Sequence, residues 1–87
     1  MVEGVREYIE SRPAKLHRQL VEKIQFILED PKRPGTRKLE GDEWIFEDLP
    51  IRRIQCGDYR ILYVADITKG EVKVIDVGLR RDIYGGH

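Results

Sequence analysis

The segment RRIQCGDYRILYVADITKGEVKVIDVGL, from Arg52 to Leu79, decides the fold of this chain. It contains three runs rich in Ile, Val and Tyr, a composition typical of β-strands. Short stretches with glycine separate the runs, and such stretches favour turns. The segment therefore predicts three consecutive strands: Arg52–Cys56, Tyr59–Asp66 and Glu71–Leu79.

Two short turns join these strands into an antiparallel meander. Gly57 and Asp58 form a two-residue loop with glycine first, which favours a type II′ hairpin turn. The stretch from Thr68 to Gly70 is a three-residue loop with glycine last, which favours a type I turn followed by a bulge. Turn length fixes which residues lie opposite each other, so both registers can be predicted.

The predicted register separates polar from apolar side chains. Arg60 is expected opposite Gln55 on one neighbouring strand and opposite Gly78 on the other. Arg53 then shares a face with Arg60, and Arg80 continues along that face beyond the last strand. The opposite face is predicted to be core, and it carries Ile54, Cys56, Tyr59, Ile61, Tyr63 and Ala65.

Two helices are predicted upstream of the meander. Val2–Glu10 is a short helical candidate, and Ala14–Asp30 carries an apolar stripe at helical period. Pro13 suits the first turn of the second helix, and Pro31 ends it. We expect an α+β fold with two N-terminal helices packed on one face of a small antiparallel β-meander of three to four strands.

The middle of the chain gives weaker signals. Residues 31–43, PKRPGTRKLEGDE, are predicted to be a loop, whose basic part Pro31–Lys38 carries four cations and no acid. That part is either a solvated linker or a contact for an RNA backbone. Trp44–Leu49 is strand-like and ends at Pro50.

Size and composition narrow the class of protein. The 87 residues make a single domain, 1–87, and 16 basic residues balance 16 acidic ones, so net charge provides no attraction to nucleic acid or membrane. One cysteine, Cys56, allows neither an internal disulfide nor a cysteine metal site. No apolar run approaches the roughly 18 residues of a membrane span. We expect a cytoplasmic protein without metal or cofactor.

Four side chains are expected to converge at one end of the polar face: Arg53, Arg60, Arg80 and Tyr84. Arginine presents a planar fork of donors that matches phosphate oxygens, so the cluster favours an anion site. Arginines on surface strands are often only solvated, and Asp58 or Asp82 would turn the cluster into a structural ion-pair network. Residue types alone leave both readings open.

The motifs GDYRILY and VGLRRDIY, with a helix pair upstream, resemble the C-terminal signature of the RelE/ParE toxin superfamily. These proteins are the toxins of bacterial and archaeal toxin–antitoxin pairs. The resemblance covers roughly Pro13 to Tyr84. It implies a metal-independent endoribonuclease that cuts messenger RNA on the ribosome, with a cognate antitoxin, the ribosome and mRNA as partners.

The resemblance also assigns roles to residues. Arg60 and Arg80 match arginines that stabilise the scissile phosphate, and Tyr84 matches a C-terminal tyrosine proposed as general base. A tyrosine with a pKa of about 10 is a weak base at neutral pH unless adjacent cations lower that pKa. Further contacts to RNA are expected from Arg53, Arg81, Lys38 and Arg37.

Two departures from the family pattern bear on activity. The chain starts almost directly in helix where the family has a strand, and that place in the sheet is empty unless Trp44–Leu49 fills it. Ile51 stands where the family has a second basic residue, two before Arg53. The alternatives are a ParE-like inhibitor of DNA gyrase without enzymatic activity, or an inactive relic that only binds its antitoxin.

Overall fold

The computed structural model describes residues 3–81. Helices α1 (Glu3–Glu10) and α2 (Ala14–Glu29) are followed by β1 (Thr36–Lys38), β2 (Ile45–Phe46), β3 (Leu49–Pro50), β4 (Arg52–Cys56), β5 (Tyr59–Asp66) and β6 (Glu71–Leu79). An antiparallel four-stranded sheet has the order β1-β4-β5-β6. β2 and β3 form a separate hairpin. The predicted α+β fold class is confirmed.

Both helices pack on one face of the four-stranded sheet. The buried side chains between them form one core: Val5, Ile9, Leu20, Ile24, Ile27, Ile54, Cys56, Ile61, Tyr63, Val74 and Val77. Leu20, Ile27 and Ile61 have no exposed surface, and full burial of a side chain of this size stabilises the fold by about 1.5–3 kcal/mol. The apolar stripe of α2 and the predicted core face of the meander therefore meet.

The ends of α2 follow from its two prolines. Pro13 has φ −52° and ψ 148°, so it caps the helix from outside rather than lying in its first turn as predicted. At the other end Asp30 is extended, with φ −147° and ψ 90°. A proline ring sterically disfavours helical backbone in the residue before it, and Pro31 therefore ends α2 as predicted.

A second, smaller core lies on the opposite face of the sheet. Ile51, Leu62 and Val64 are buried there, and the hairpin of β2 and β3 packs on them with side chains that include Trp44 and Phe46. Residues 44–49 thus do not add a strand to the main sheet. The hairpin covers part of this face, and the arginines occupy another part.

The prediction of a loop throughout residues 31–43 was wrong, because β1 lies within it. β1 pairs with β4, placing Thr36 opposite Ile54 and Lys38 opposite Arg52. Three polar residues carry no apolar alternation, so the usual strand signal is missing. Tertiary contacts hold the strand: Arg52 Nη2 donates to Thr36 Oγ1 at 3.0 Å.

In the pairing of β5 with β6, a bulge offsets the effect of a turn that is longer than predicted. The connecting turn has four residues, Ile67–Gly70, rather than the predicted three, so Asp66 pairs with Glu71. A bulge opposite Leu62 and Tyr63 inserts one extra residue into β6. The predicted pairing of Arg60 with Gly78 is nevertheless confirmed, since the bulge cancels the offset of the turn.

The first hairpin follows the prediction closely. Cys56 pairs with Tyr59 and Gln55 with Arg60, which leaves Gly57 and Asp58 as the two-residue loop. Gly57 has φ +59°, as the first central position of a type II′ turn requires.

Within residues 3–81, no helix has the length and apolar character needed to cross a bilayer.

Candidate anion-binding site

A pocket of about 370 Å³ lies at the end of the sheet where the β4–β5 turn meets the end of β6. We call it the basic pocket. Its lining residues are Gln55, Gly57, Asp58, Arg60, Leu79, Arg80 and Arg81. Two of the three residues predicted to be catalytic, Arg60 and Arg80, therefore share one pocket.

Arg60 is the most constrained cation of the basic pocket. Its side chain is buried, at 9% exposure. Nη1 donates to the carbonyl oxygens of Gly57 at 3.1 Å and of Tyr59 at 3.0 Å. No carboxylate within residues 3–81 forms an ion pair with it. Two carbonyls thus hold the guanidinium in place while its charge is not neutralised, which suits an anion.

The turn at Gly57 organises two side chains at once. The carbonyl oxygen of Gly57 accepts from Arg60 Nη1 and also from Gln55 Nε2, the latter at 3.3 Å. The left-handed φ of Gly57 costs other residues energy and glycine little. Sequence reasoning identified this glycine as a turn residue but missed its carbonyl as an acceptor, because side-chain patterns say nothing about backbone acceptors.

Arg80 enters the pocket from the end of β6. The strand ends at Leu79, and the backbone of Arg80 and Arg81 is helical rather than extended as predicted. The N–H of Arg80 donates to the carbonyl oxygen of Asp58 at 3.1 Å, tying this end to the β4–β5 turn. The exposed Arg80 side chain makes no hydrogen bond or ion pair with another residue of the range 3–81.

The other residues predicted to contact RNA do not all lie at the basic pocket. Arg53 shares a face with Arg60 as predicted, yet it lies opposite Arg37 and Leu62 and does not line the basic pocket. Arg37 and Arg53 are cross-strand neighbours on that face. Arg81 lines the pocket. Lys38 pairs with Arg52 and hence lies on the helix-covered face, away from the other predicted RNA contacts.

Tyr84 and Asp82 lie outside the residues that the structure describes. Asp58 lines the basic pocket and makes no ion pair with an arginine within residues 3–81. One alternative from the sequence was a structural network of arginines paired with acids. No carboxylate within residues 3–81 forms such a pair with Arg60 or Arg80. Arg60, Arg80 and Arg81 are the cations that line the basic pocket.

Cys56 belongs to the helix-facing core and not to the basic pocket, as the sequence predicted. Burial raises the pKa of its thiol above 9.0; Lys23 opposes this rise and Glu22 adds to it. The thiol is therefore protonated at neutral pH, which makes it a poor nucleophile.

Within the described part of the chain, His, Cys, Asp and Glu residues form no group that could hold a metal ion.

A family model described as the ParE toxin of the type II toxin–antitoxin system parDE matches residues 2–84. This chain belongs to the ParE toxin family. The predicted membership of the RelE/ParE superfamily is thereby confirmed, and this ParE-family chain is a toxin of the type II toxin–antitoxin class.

A solved structure supports the same conclusion for the fold. The ParE-family chain is similar to a chain of the archaeal RelE–RelB complex from Pyrococcus horikoshii OT3. The TM-score is 0.73 and the sequence identity 26%, over 91% of this chain and 89% of that chain. No curated protein matches the sequence significantly.

Proposed function

We propose that this ParE-family toxin is a ribosome-dependent messenger RNA endonuclease whose basic pocket binds the scissile phosphate. The observation that carries the proposal is Arg60: a buried guanidinium, held by two carbonyls and without a described carboxylate partner. Arg80 lies in the same pocket and has a free side chain within residues 3–81. Two such cations match the double negative charge that develops at a phosphate under attack.

The reaction would be an internal transesterification. The ribose 2′-oxygen attacks the adjacent phosphorus, the bond from phosphorus to the 5′-oxygen breaks, and a 2′,3′-cyclic phosphate and a 5′-hydroxyl form. The proton of the 2′-hydroxyl passes to a base, and the leaving 5′-oxygen takes up a proton. Arg60 and Arg80 would stabilise the phosphorane-like transition state, and we assign the proton transfer at the 2′-hydroxyl to Tyr84.

Other groups would hold the RNA rather than act on it. Arg81 lines the basic pocket, while Arg53 and Arg37 extend the cationic face toward β1. These positions suit phosphates on either side of the cleaved bond. Lys38 lies on the other face of the sheet, so a contact from Lys38 to RNA would be separate from those of Arg53 and Arg37.

The partners follow from this function. The ribosome with its bound mRNA would be the substrate complex, and a cognate antitoxin would neutralise the toxin in the cytoplasm. The similar archaeal RelE was solved in complex with RelB, which supports an antitoxin partner.

Primer extension on messenger RNA after induction tests the proposal. Wild-type toxin is expected to produce cuts inside codons, and Arg80→Ala is expected to abolish both the cuts and the growth inhibition. Arg18→Ala, an exposed arginine on α2, is the matched control and should leave the cuts unchanged. Full toxicity of Arg80→Ala would remove Arg80 from the mechanism.

A second candidate function is inhibition of DNA gyrase. The description of the matching family as ParE favours it, and so does Ile51, which is buried in the second core where the resemblance expects a basic residue. The same induction experiment separates the two functions. Intact mRNA together with gyrase-dependent DNA damage supports gyrase inhibition, and no growth effect at all supports an inactive relic.

A further inference from the structure

Two strongly exposed apolar side chains border a groove far from the basic pocket. Ile67 is 68% exposed and Leu28 is 53% exposed. The groove has a volume of about 230 Å³ and lies where the end of α2 meets the β5–β6 turn. We call it the acid-rimmed groove, and its walls include Leu28, Pro31, Asp66, Ile67, Glu71 and Val72.

The acid-rimmed groove and the basic pocket lie at opposite ends of the sheet. The groove is at the pair Asp66 and Glu71, whereas the pocket is at the pair Tyr59 and Leu79. A strand rises about 3.3 Å per residue, so the two ends of β5 are roughly 23 Å apart. An occupant of the groove therefore need not cover the basic pocket.

Charge defines what the groove accepts. Its charged lining residues, Asp66 and Glu71, are both acidic. Asp66 Oδ1 accepts from the backbone N–H of Lys69 at 3.1 Å, and neither carboxylate has a salt bridge within the described range. Lys32 does not line the groove. Lys69 and Lys73 line a neighbouring pocket together with both carboxylates, but they do not line the groove either. An apolar side chain flanked by lysine or arginine is the complementary ligand.

We propose that the acid-rimmed groove docks the antitoxin, through a segment that inserts an apolar anchor between Leu28 and Ile67 and places basic residues against Asp66 and Glu71. The proposal rests on the antitoxin partner of the proposed function and assigns that partner a surface separate from the basic pocket. Apolar contacts supply most of the affinity, and the two carboxylates orient the segment.

The test uses the toxin and the protein encoded by the neighbouring reading frame. Calorimetry measures the Kd for wild type, Ile67→Asp and the control Ile45→Asp, which changes an isoleucine that is 51% exposed in β2 and outside the groove. Ile67→Asp is expected to raise Kd at least about tenfold, in the range of an interface anchor. Ile45→Asp should bind like wild type, and Asp66→Asn with Glu71→Gln should weaken binding and reduce its salt dependence.

Growth assays keep this inference apart from the proposed function. Ile67→Asp should still inhibit growth and cut mRNA when expressed alone, but the neighbouring protein should no longer rescue the cells. Rescue of Ile67→Asp as efficient as that of wild type would overturn the groove assignment even if mRNA is cut. A neighbouring protein that does not bind wild type would also overturn it. So would a loss of toxin self-association in Ile67→Asp without antitoxin, since a second copy would then be the occupant.

Discussion

Arg60 lies directly opposite Gly78 on the adjacent strand β6. Residues opposite each other in an antiparallel pair have Cβ positions about 4.5–5.5 Å apart and point to the same face. The glycine at position 78 therefore places no side chain beside Arg60 at the pocket end of the sheet. This relationship depends on the bulge in β6, because the four-residue turn alone would shift Arg60 by one partner.

Gly78→Val should impair the basic pocket. The new side chain would contact the Arg60 stem and move the guanidinium away from the carbonyl oxygens of Gly57 and Tyr59. We expect mRNA cutting to fall at least about tenfold, since positioning errors near 1 Å have effects of that size or more. Gly4→Ala in α1, where an added Cβ meets nothing within 4 Å, is the control and should retain activity.

Arg60 and Arg80 should differ in what their loss does to stability. Arg60→Ala removes the donor of two hydrogen bonds, so the free energy of unfolding should fall by about 1–3 kcal/mol. Arg80→Ala removes an exposed side chain without a described bond, so its urea midpoint should match wild type. Both variants should lose activity. Equal destabilisation by the two substitutions would contradict the structural role given to Arg60.

The buried phenol of Tyr63 should stabilise the fold through Pro31. Tyr63 has no exposed surface, and its hydroxyl donates to the carbonyl oxygen of Pro31, which also accepts from Arg52 Nε at 3.2 Å. Tyr63→Phe is expected to cost about 1 kcal/mol in chemical denaturation. Tyr59→Phe is the matched control, because the Tyr59 hydroxyl has no hydrogen bond within residues 3–81. It should change stability little.

The β2–β3 hairpin offers a stabilising substitution. Its two turn residues, Glu47 and Asp48, have φ +52° and +66°, a conformation that glycine adopts at lower cost. Asp48→Gly should therefore raise the unfolding free energy by about 0.5 kcal/mol. Glu47→Gly should gain less, because Glu47 also forms a 2.9 Å ion pair with Lys73. A larger gain for Glu47→Gly would show that the ion pair with Lys73 adds little, and no gain for Asp48→Gly would contradict the role given to turn strain.

The raised pKa of Cys56 should make the free energy of unfolding decrease at high pH. Burial raises its folded-state pKa above 9.0, so the folded chain keeps the thiol proton at pH values where the unfolded chain loses it. The unfolded state then binds fewer protons, and the free energy of unfolding decreases as pH rises above about 9. The Cys56→Ala variant should lack this part of the decline. Iodoacetamide should label native Cys56 much more slowly than the urea-unfolded chain at the same pH.

The sequence predicts most of the meander because its signals are local. Gly57 fixes the first hairpin, and the strand bounds Arg52–Cys56, Tyr59–Asp66 and Glu71–Leu79 match the structure. The sequence does not predict β1, because its three polar residues carry no apolar alternation and form a strand through their pairing with β4. The bulge in β6 has no glycine to mark it, and Gly70 marks the end of the turn but not its start at Ile67.

For the candidate site, the sequence predicts that Arg60 and Arg80 come together but not how. The pairing of Arg60 with Gly78 follows from strand register. The anchoring of its guanidinium on carbonyl oxygens is a backbone interaction that residue types do not reveal. Lys38 was placed with the RNA contacts because it belongs to a basic run, and only the pairing with Arg52 shows that it faces the other way.

The hydrogen bond from the Arg80 N–H to the Asp58 carbonyl oxygen joins the β4–β5 turn to the far end of β6. During translation Arg60 is therefore synthesised twenty residues before its companion cation arrives. A nascent chain that stops before β6 has neither Gly78 nor Arg80 and cannot assemble the pocket. Under the proposed function, the nascent chain therefore stays inactive until β6 has been synthesised and Arg80 can join Arg60 in the basic pocket.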